Sequence, residues 1–299
     1  MVDPKVYSLL EVYETGSFSA AAGRLAVTQP AVSQHIKALE SELGVRIFDR
    51  SGGKLLVTKQ GKEVVRAARK MVGIERLLGQ ELRDSAHRTE HLTVGITHTA
   101  ESNPIAEALA KYSAENEGVN IKMITDTISN LYKKLANYEL DILIAEGRKP
   151  DPNLKYLLLD TDCLMLAVSP THPLAKQHMV TLNELKKERL ILRLPSSGTR
   201  NLFVSHLESH NRDIAEFNVI LEIDNVATIK DLIRRDFGVS ILPRSVCLDE
   251  IKKKKLIVLP VENLSMVLEI NIVYLAEFEE TDLLHGIVES YNDTVRRYR

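Results

Sequence analysis

Between Thr15 and Arg50, apolar and polar positions alternate with a helical period in two short blocks separated by a break. Ser17 is a good N-cap, and Phe18, Ala21, Ala22 and Leu25 fall on one face behind it. Val27 and Thr28 interrupt the pattern. Thr28 caps a second block, and Pro30 sits in its first turn, where a missing amide hydrogen does no harm. Ala31, Val32, Ile36, Leu39 and Leu43 then form a predicted buried stripe that Gly44 ends. The opposite side presents Gln29, Ser33, Gln34 and Lys37, which can bond base edges and phosphates, with no acid before Glu40. Two short helices joined by a tight turn, the second with such a face, predict a helix-turn-helix.

The flanking pattern extends this unit. The start, MVDPKVYSLLEVYE, has the grammar of a helix with Asp3 as cap and Pro4 at its first position, not that of a secretion leader. After Gly44, Val45–Phe48 packs back, 49–54 makes a tight turn and Leu55–Val57 gives a short strand: a wing, with Arg50 and Lys54 placed at its base and tip to touch phosphate or minor groove. Thr58 caps a long helix to about Ala86. Its apolar positions Val64, Ala68, Met71, Leu78 and Leu82 repeat at steps of three and four, with Glu75 in the same seam. A domain of about 60 residues cannot bury so long a stripe, so a paired helix from a second subunit is expected. The polar stretch 84–90 reads as a hinge.

From His91 the period switches to alternating strands and helices. HLTVGI, VNIKMIT, DILIAEG, Tyr156–Leu159, Cys163–Val168, Leu190–Leu194, Phe217–Ile223, VSILP, LIVLPV and MVLEINIVYL are predicted strands. Helices are expected at 103–115, 129–138, after Thr199, at 226–236 and at 280–297. That alternation predicts mixed, largely parallel sheets covered by helices on both faces. A span of 209 residues suits two lobes.

Composition narrows the class. A chain of 299 residues with 44% hydrophobic and 27% charged residues is an ordinary multidomain globular protein. No apolar run reaches the ~20 residues of a membrane span, so no membrane role is expected. Cys163 and Cys247 have no metal-ligand spacing and suggest free thiols in a reducing, cytoplasmic setting. The net charge of −2 conceals an asymmetry: residues 1–70 are net +4, 46–70 alone net +6, and the remainder net −6. A basic end on an acidic body favours a polyanionic partner such as double-stranded DNA.

The run AAGRLAVTQPAVSQHIKALESELGVRIFDR, from Ala21 to Arg50, closely resembles the DNA-binding domain of LysR-type transcriptional regulators. The resemblance continues more faintly to the C-terminus, through YELDILIAEG and FGVSILP. It implies a winged helix-turn-helix over 1–58 and a dimerising linker helix with hinge over 59–90. It further implies a two-lobed α/β effector domain like the periplasmic binding proteins, with lobe I formed by 91–162 and 267–299 and lobe II by 163–266. Crossovers would fall near Thr161–Asp162 and Leu264–Ser265. One departure is Gly53, where many relatives carry an Arg near the wing tip. The implied protein is a sequence-specific regulator, a homodimer or homotetramer on a pseudo-palindromic operator, controlled by a small molecule bound between the lobes. Gln29, Ser33 and Gln34 would read bases, Pro30 would make apolar contact, and Lys37, Arg50 and Lys54 would hold phosphates.

Strand ends followed by helix starts are where an α/β sheet binds ligands. Thr97–Asn103, Pro195–Arg200, Asp224–Asn225 and Glu146–Gly147 are such ends. The Ser-Ser-Gly-Thr-Arg segment, with hydroxyls, a glycine and a helix start, favours an anion. In the family, the matching positions line the inducer cleft. That makes Thr97, His98, Thr99, Ser196, Ser197, Thr199 and Asn225 the candidate effector residues, with His98 and Glu101 unusual beside an anion. No nucleophile elbow, phosphate-binding loop or dinucleotide motif is present, so neither an enzyme nor a cofactor is expected. His206 and His210 lie one turn apart, half a metal site at most. The competing reading is a stand-alone cytoplasmic solute-binding module whose first 90 residues only oligomerise.

Overall fold

The computed structural model describes residues 1–51, 54–87, 89–102, 104–278 and 280–298, without the side chains of 50, 51, 54, 87 and 102. It divides into two compact units, Met1–Arg88 with Ala136–Glu139, and Thr89–Leu135 with Leu140–Arg299.

In the first unit, α1 (Pro4–Thr15), α2 (Phe18–Leu25) and α3 (Gln29–Leu43) pack on one another, followed by the hairpin β1 (Phe48–Ser51) and β2 (Lys54–Val57) and the long α4 (Lys59–His87). The caps fall where the sequence places them. Ser17 accepts from the Ala20 amide, Thr28 from the Ala31 amide and Thr58 from the Gly61 amide. Ala26 takes the left-handed conformation at φ 55° to end α2, and Gly44 does so at φ 65° to end α3. The core gathers Val6, Leu9, Val12, Ala21, Ala22, Val32, Ile36, Leu39, Ile47, Phe48, Val65 and Ala68. Leu43 departs from the expectation. It is 51% exposed, because at the last turn before Gly44 the helix has run past the core. Along α4, Ala68 is buried, whereas Met71, Leu78 and Leu82 are about half exposed or more. Glu75 turns to the N-terminus, accepting from the Val2 amide and the Tyr7 hydroxyl.

The second unit carries, in order, β3 (Glu90–Thr97), α5 (Ile105–Glu115), β4 (Val119–Asp126), α6 (Ile128–Ala136), β5 (Ile142–Glu146), β6 (Leu154–Val168), α7 (Leu182–Leu185), β7 (Leu190–Leu192), α8 (Gly198–Ser209), β8 (Val219–Glu222), α9 (Val226–Arg234), β9 (Ser240–Pro243), α10 (Leu248–Lys252), β10 (Ile257–Leu259), β11 (Val267–Leu275) and α11 (Thr281–Arg296). One sheet runs β10-β6-β11-β5-β3-β4, with β9 also on β6, and β7 pairs β8 separately. Pairings among β3, β4 and β5, and between β7 and β8, are parallel. Those made by β6 and β11 are antiparallel, so the sheet is less parallel than βα alternation suggests. The reason is β6. Expected as two strands, it is continuous from Leu154 to Val168, pairing β11 along its first part and β9 and β10 along its last. β11 lies between β6 and β5 and runs antiparallel to both. No helix among the described residues is long and apolar enough to span a membrane.

Candidate functional site

Two candidate surfaces emerge, one in each unit. On α3 the stripe of Val32, Ile36 and Leu39 is buried, which by the helical period turns the other side outward. Gln29, Pro30, Gln34 and Lys37 are exposed there and Ser33 is half-buried. Its freedom from acid extends further than the sequence shows. Glu40 folds back and accepts the amides of Ile47 (2.7 Å) and Phe48 (3.2 Å), securing the chain that enters the wing. Glu42 pairs with Lys5. His35, next to the face, turns its Nδ1 to the Ser8 hydroxyl at 2.7 Å. The side chains of Arg50 and Lys54, like Gly53, lie outside the described residues; the backbone pairs Arg50 with Leu55 and Ser51 with Lys54.

In the second unit, the carboxyl ends of the parallel strands converge on a cleft of about 110 Å³. Thr97, Asp126 and Glu146 are the last residues of β3, β4 and β5, Arg193 follows β7, and Asp224 follows β8. Ligands bind at this end of an α/β sheet because strand termination leaves room there and helix amino ends supply amides. Thr97, His98, Thr99, Ser196 and Ser197 all line it. The Thr97 hydroxyl donates to both oxygens of Glu146, at 3.0 and 3.1 Å, and accepts from the Ala100 amide. Thr99 Oγ1 accepts from Arg193 Nη1 at 2.9 Å and lies 3.4 Å from the buried Thr199 Oγ1. His98 stands at the rim, with Nε2 3.8 Å from Asp224 and Nδ1 4.0 Å from Glu101. Ser197 is the N-cap of α8, yet its hydroxyl makes no capping bond.

Asn225 behaves differently from the other candidates. It is exposed, and its Oδ1 accepts from the Thr228 amide (2.9 Å) and hydroxyl (3.2 Å), capping α9. Its neighbour Asp224 is the one that lines the cleft.

Arg193, Asp126, Glu146 and Asp224 enlarge the candidate set read from sequence. Arg193 is 4% exposed and sends Nη2 to Asp224 at 2.8 Å. A signal for it existed: a lone arginine inside the apolar strand LILRL must be buried, and a buried guanidinium requires partners. Burial is the main cause pushing the Glu146 carboxyl above the usual range, opposed by the Thr97 hydroxyl and the Arg193 charge. Both cysteines are free. Burial raises the Cys163 thiol and takes Cys247 up to about 12, which disfavours the reactive thiolate in both.

Comparison with known proteins matches a family model to each of the two units. The family model described as a bacterial regulatory helix-turn-helix protein of the lysR family matches residues 5–62, and the LysR substrate binding domain matches 85–295. The chain is 30% identical over 234 residues to the HTH-type transcriptional activator CmpR of Synechocystis sp., covering 77% of this chain and 75% of that protein. It is 27% identical over 266 residues to a probable RuBisCO transcriptional regulator of Thalassiosira pseudonana, covering 86% of each. Full-length CbnR, solved with its target DNA, shares the fold at a TM-score of 0.69 and 19% identity, over 98% of this chain and 100% of that one. The helix-turn-helix match disfavours a stand-alone solute-binding module. With an N-terminal helix-turn-helix joined to a substrate-binding domain, the chain belongs to the LysR family of DNA-binding transcriptional regulators.

Proposed function

We propose that Gln29, Ser33 and Gln34 read base edges in the major groove, with Pro30 in apolar contact and Lys37, Arg50 and Lys54 on phosphates. The observation that carries this is the acid-free outer face of α3, kept so by Glu40 and Glu42 bonding elsewhere. The half-exposed stripe of Met71, Leu78 and Leu82 on α4 supports pairing with a second copy, as a dimer or as two dimers. A two-fold assembly reads two half-sites, so the operator is a pseudo-palindrome. We assign 1–58 to DNA binding, 59–90 to linker and hinge, 91–162 with 267–299 to one effector lobe and 163–266 to the other. The effector enters the cleft lined by Thr97, His98, Thr99, Ser196 and Ser197, with Thr199 supporting Thr99 from behind. Asn225 acts indirectly, by fixing α9 next to Asp224. The second unit then binds its ligand without turning it over, and the protein works in the cytoplasm, beside the chromosome.

Binding measured across operator variants at two salt concentrations tests the reading. Gln29→Ala should relax preference at one position per half-site by about 1–3 kcal/mol. Lys37→Ala should weaken all sequences alike and reduce the salt slope by about 1 per phosphate lost. A uniform loss from Gln29→Ala would show that it does not read bases.

A further inference from the structure

The cleft carries more negative charge than a site for an anion needs. Asp126, Glu146 and Asp224 line it, against Arg193 and His98. Asp224 already has Arg193, and Asp126 Oδ2 lies 4.0 Å from Lys134 Nζ. Glu146 differs: among the described residues its hydrogen bonds come from its own amide and the Thr97 hydroxyl, and Arg193, already paired with Asp224, reaches it only through its charge. A half-buried carboxylate at the end of a strand, hydrogen-bonded only by hydroxyl and amide, is a seat for a cation.

The far wall has the opposite character. Ser197 is 7% exposed, and its Oγ has no partner. Arg193 is 4% exposed, and its Nε has none either. Both line the same cleft, and Ser197 opens the twelve-residue α8. Buried polar groups are nearly always paired, and an orphan is costly, so two unused donors on one wall beside free helix amides point to a missing acceptor. A carboxylate satisfies all three at once, the guanidinium and the helix end contributing charge as well as hydrogen bonds.

We propose that the effector is a compact amino acid, its carboxylate held by Arg193, Ser197 and the amino end of α8, and its ammonium held by Glu146 and Thr97. The proposal rests on the effector-cleft reading above and sharpens it: the anion expected from the Ser-Ser-Gly-Thr segment becomes one end of a zwitterion. The cleft is small, about 110 Å³, which suits a small side chain better than an aromatic one. An ammonium would also relieve Glu146, whose charge burial disfavours in the open cleft.

The test is calorimetry on the full chain with four probe sets: glycine, alanine, serine and threonine; the deaminated acetate, propionate, 3-hydroxypropionate and 3-hydroxybutyrate; the decarboxylated methylamine, ethylamine, ethanolamine and 1-amino-2-propanol; and, as a wider set, dicarboxylates, sugar phosphates and inorganic phosphate. At least one amino acid should bind at least tenfold more tightly than both of its truncated counterparts. Glu146→Gln should remove that preference for the amino group, and Ser197→Ala should weaken every carboxylate-bearing probe. Thermal melts of both variants check that they fold, and the probe comparison on the unaltered protein needs no variant. Equal binding of an amino acid and its deaminated partner overturns the proposal while leaving the effector cleft standing. Binding confined to the wider set does the same. Silence from all four sets, with an operator footprint unchanged by any of them, sinks the proposal and the cleft reading together.

Discussion

The proposed reading face places five side chains within nine residues of one helix, Gln29 to Lys37, and leaves them largely exposed. The cleft draws Thr97, Asp126, Glu146, Arg193 and Asp224 from five strand ends spread over more than a hundred residues, and buries Thr97 and Arg193 almost completely. A surface that must enter a groove wants long polar side chains with no internal partner. A pocket that must tell one small molecule from another wants donors and acceptors held at fixed positions by one another, as Thr99, Arg193 and Asp224 hold each other. The first kind of site depends on the rigidity of the elements behind it, the second on its own bonding network. Perturbations should therefore act on the two regions through different routes.

The largest effect should come from the support behind the reading face. A β-carbon on Gly61 would lie 2.1 Å from the Ile47 carbonyl oxygen and 2.9 Å from its carbon, where the start of α4 crosses the chain leading into the wing. Backbone cannot give way as a side-chain tip can. Gly61→Ala should destabilise the first unit by about 3 kcal/mol. Hydrogen exchange across residues 1–70 should show the loss, with operator affinity falling alongside and the cleft's probe binding retained. Unchanged protection would mean that the crossing is slack and the face needs less support than argued.

An effect of about 1 kcal/mol is expected at Asn225, which caps α9 next to Asp224. Asn225→Ala removes the cap of α9 and should lower the melting temperature by roughly 2–4 °C. Asn225→Ser should restore most of it, since a hydroxyl also accepts from the third amide. Ligand affinity should follow stability only weakly. A loss of affinity that Ser fails to rescue would place the Asn225 amide against the effector after all.

These contrasts also explain what could be read before folding. Ser17, Thr28, Thr58 and Gly44 act within four residues of themselves, so cap chemistry located three helix starts and the end of α3 directly from the sequence. Leu43 misled because periodicity knows the face of a helix but not where the core beneath it stops. The hydroxyls of Thr97, Thr99 and Ser197 were legible as strand-end and helix-start residues. Glu146 was legible only as a strand end and Arg193 only as a lone charge in an apolar strand, and Asp126 not at all, since nothing local says which strand ends the sheet order brings together. Asn225 shows the converse: a polar residue at the right place in the chain, already engaged by its own helix.

The smallest expected effect tests whether Glu146 is held under tension in the open cleft. Burial, the leading cause, raises its folded-state pKa above that of the unfolded chain. Over the pH range between the two values the unfolded state has released its proton and the folded state retains it, so stability falls as pH rises and the penalty is complete above the folded value. Glutamine cannot ionise and still offers Thr97 an acceptor. The melting temperature of Glu146→Gln relative to the unaltered protein should thus be near zero below the usual carboxylate range and climb by roughly 2 °C as pH rises through and above it. Asp162, also raised chiefly by burial, is present in both proteins and drops out of the difference. Arg193 works against the effect by favouring the carboxylate. A difference that stays flat with pH would mean that Thr97 and Arg193 already offset the burial, leaving Glu146 no reason to favour an ammonium.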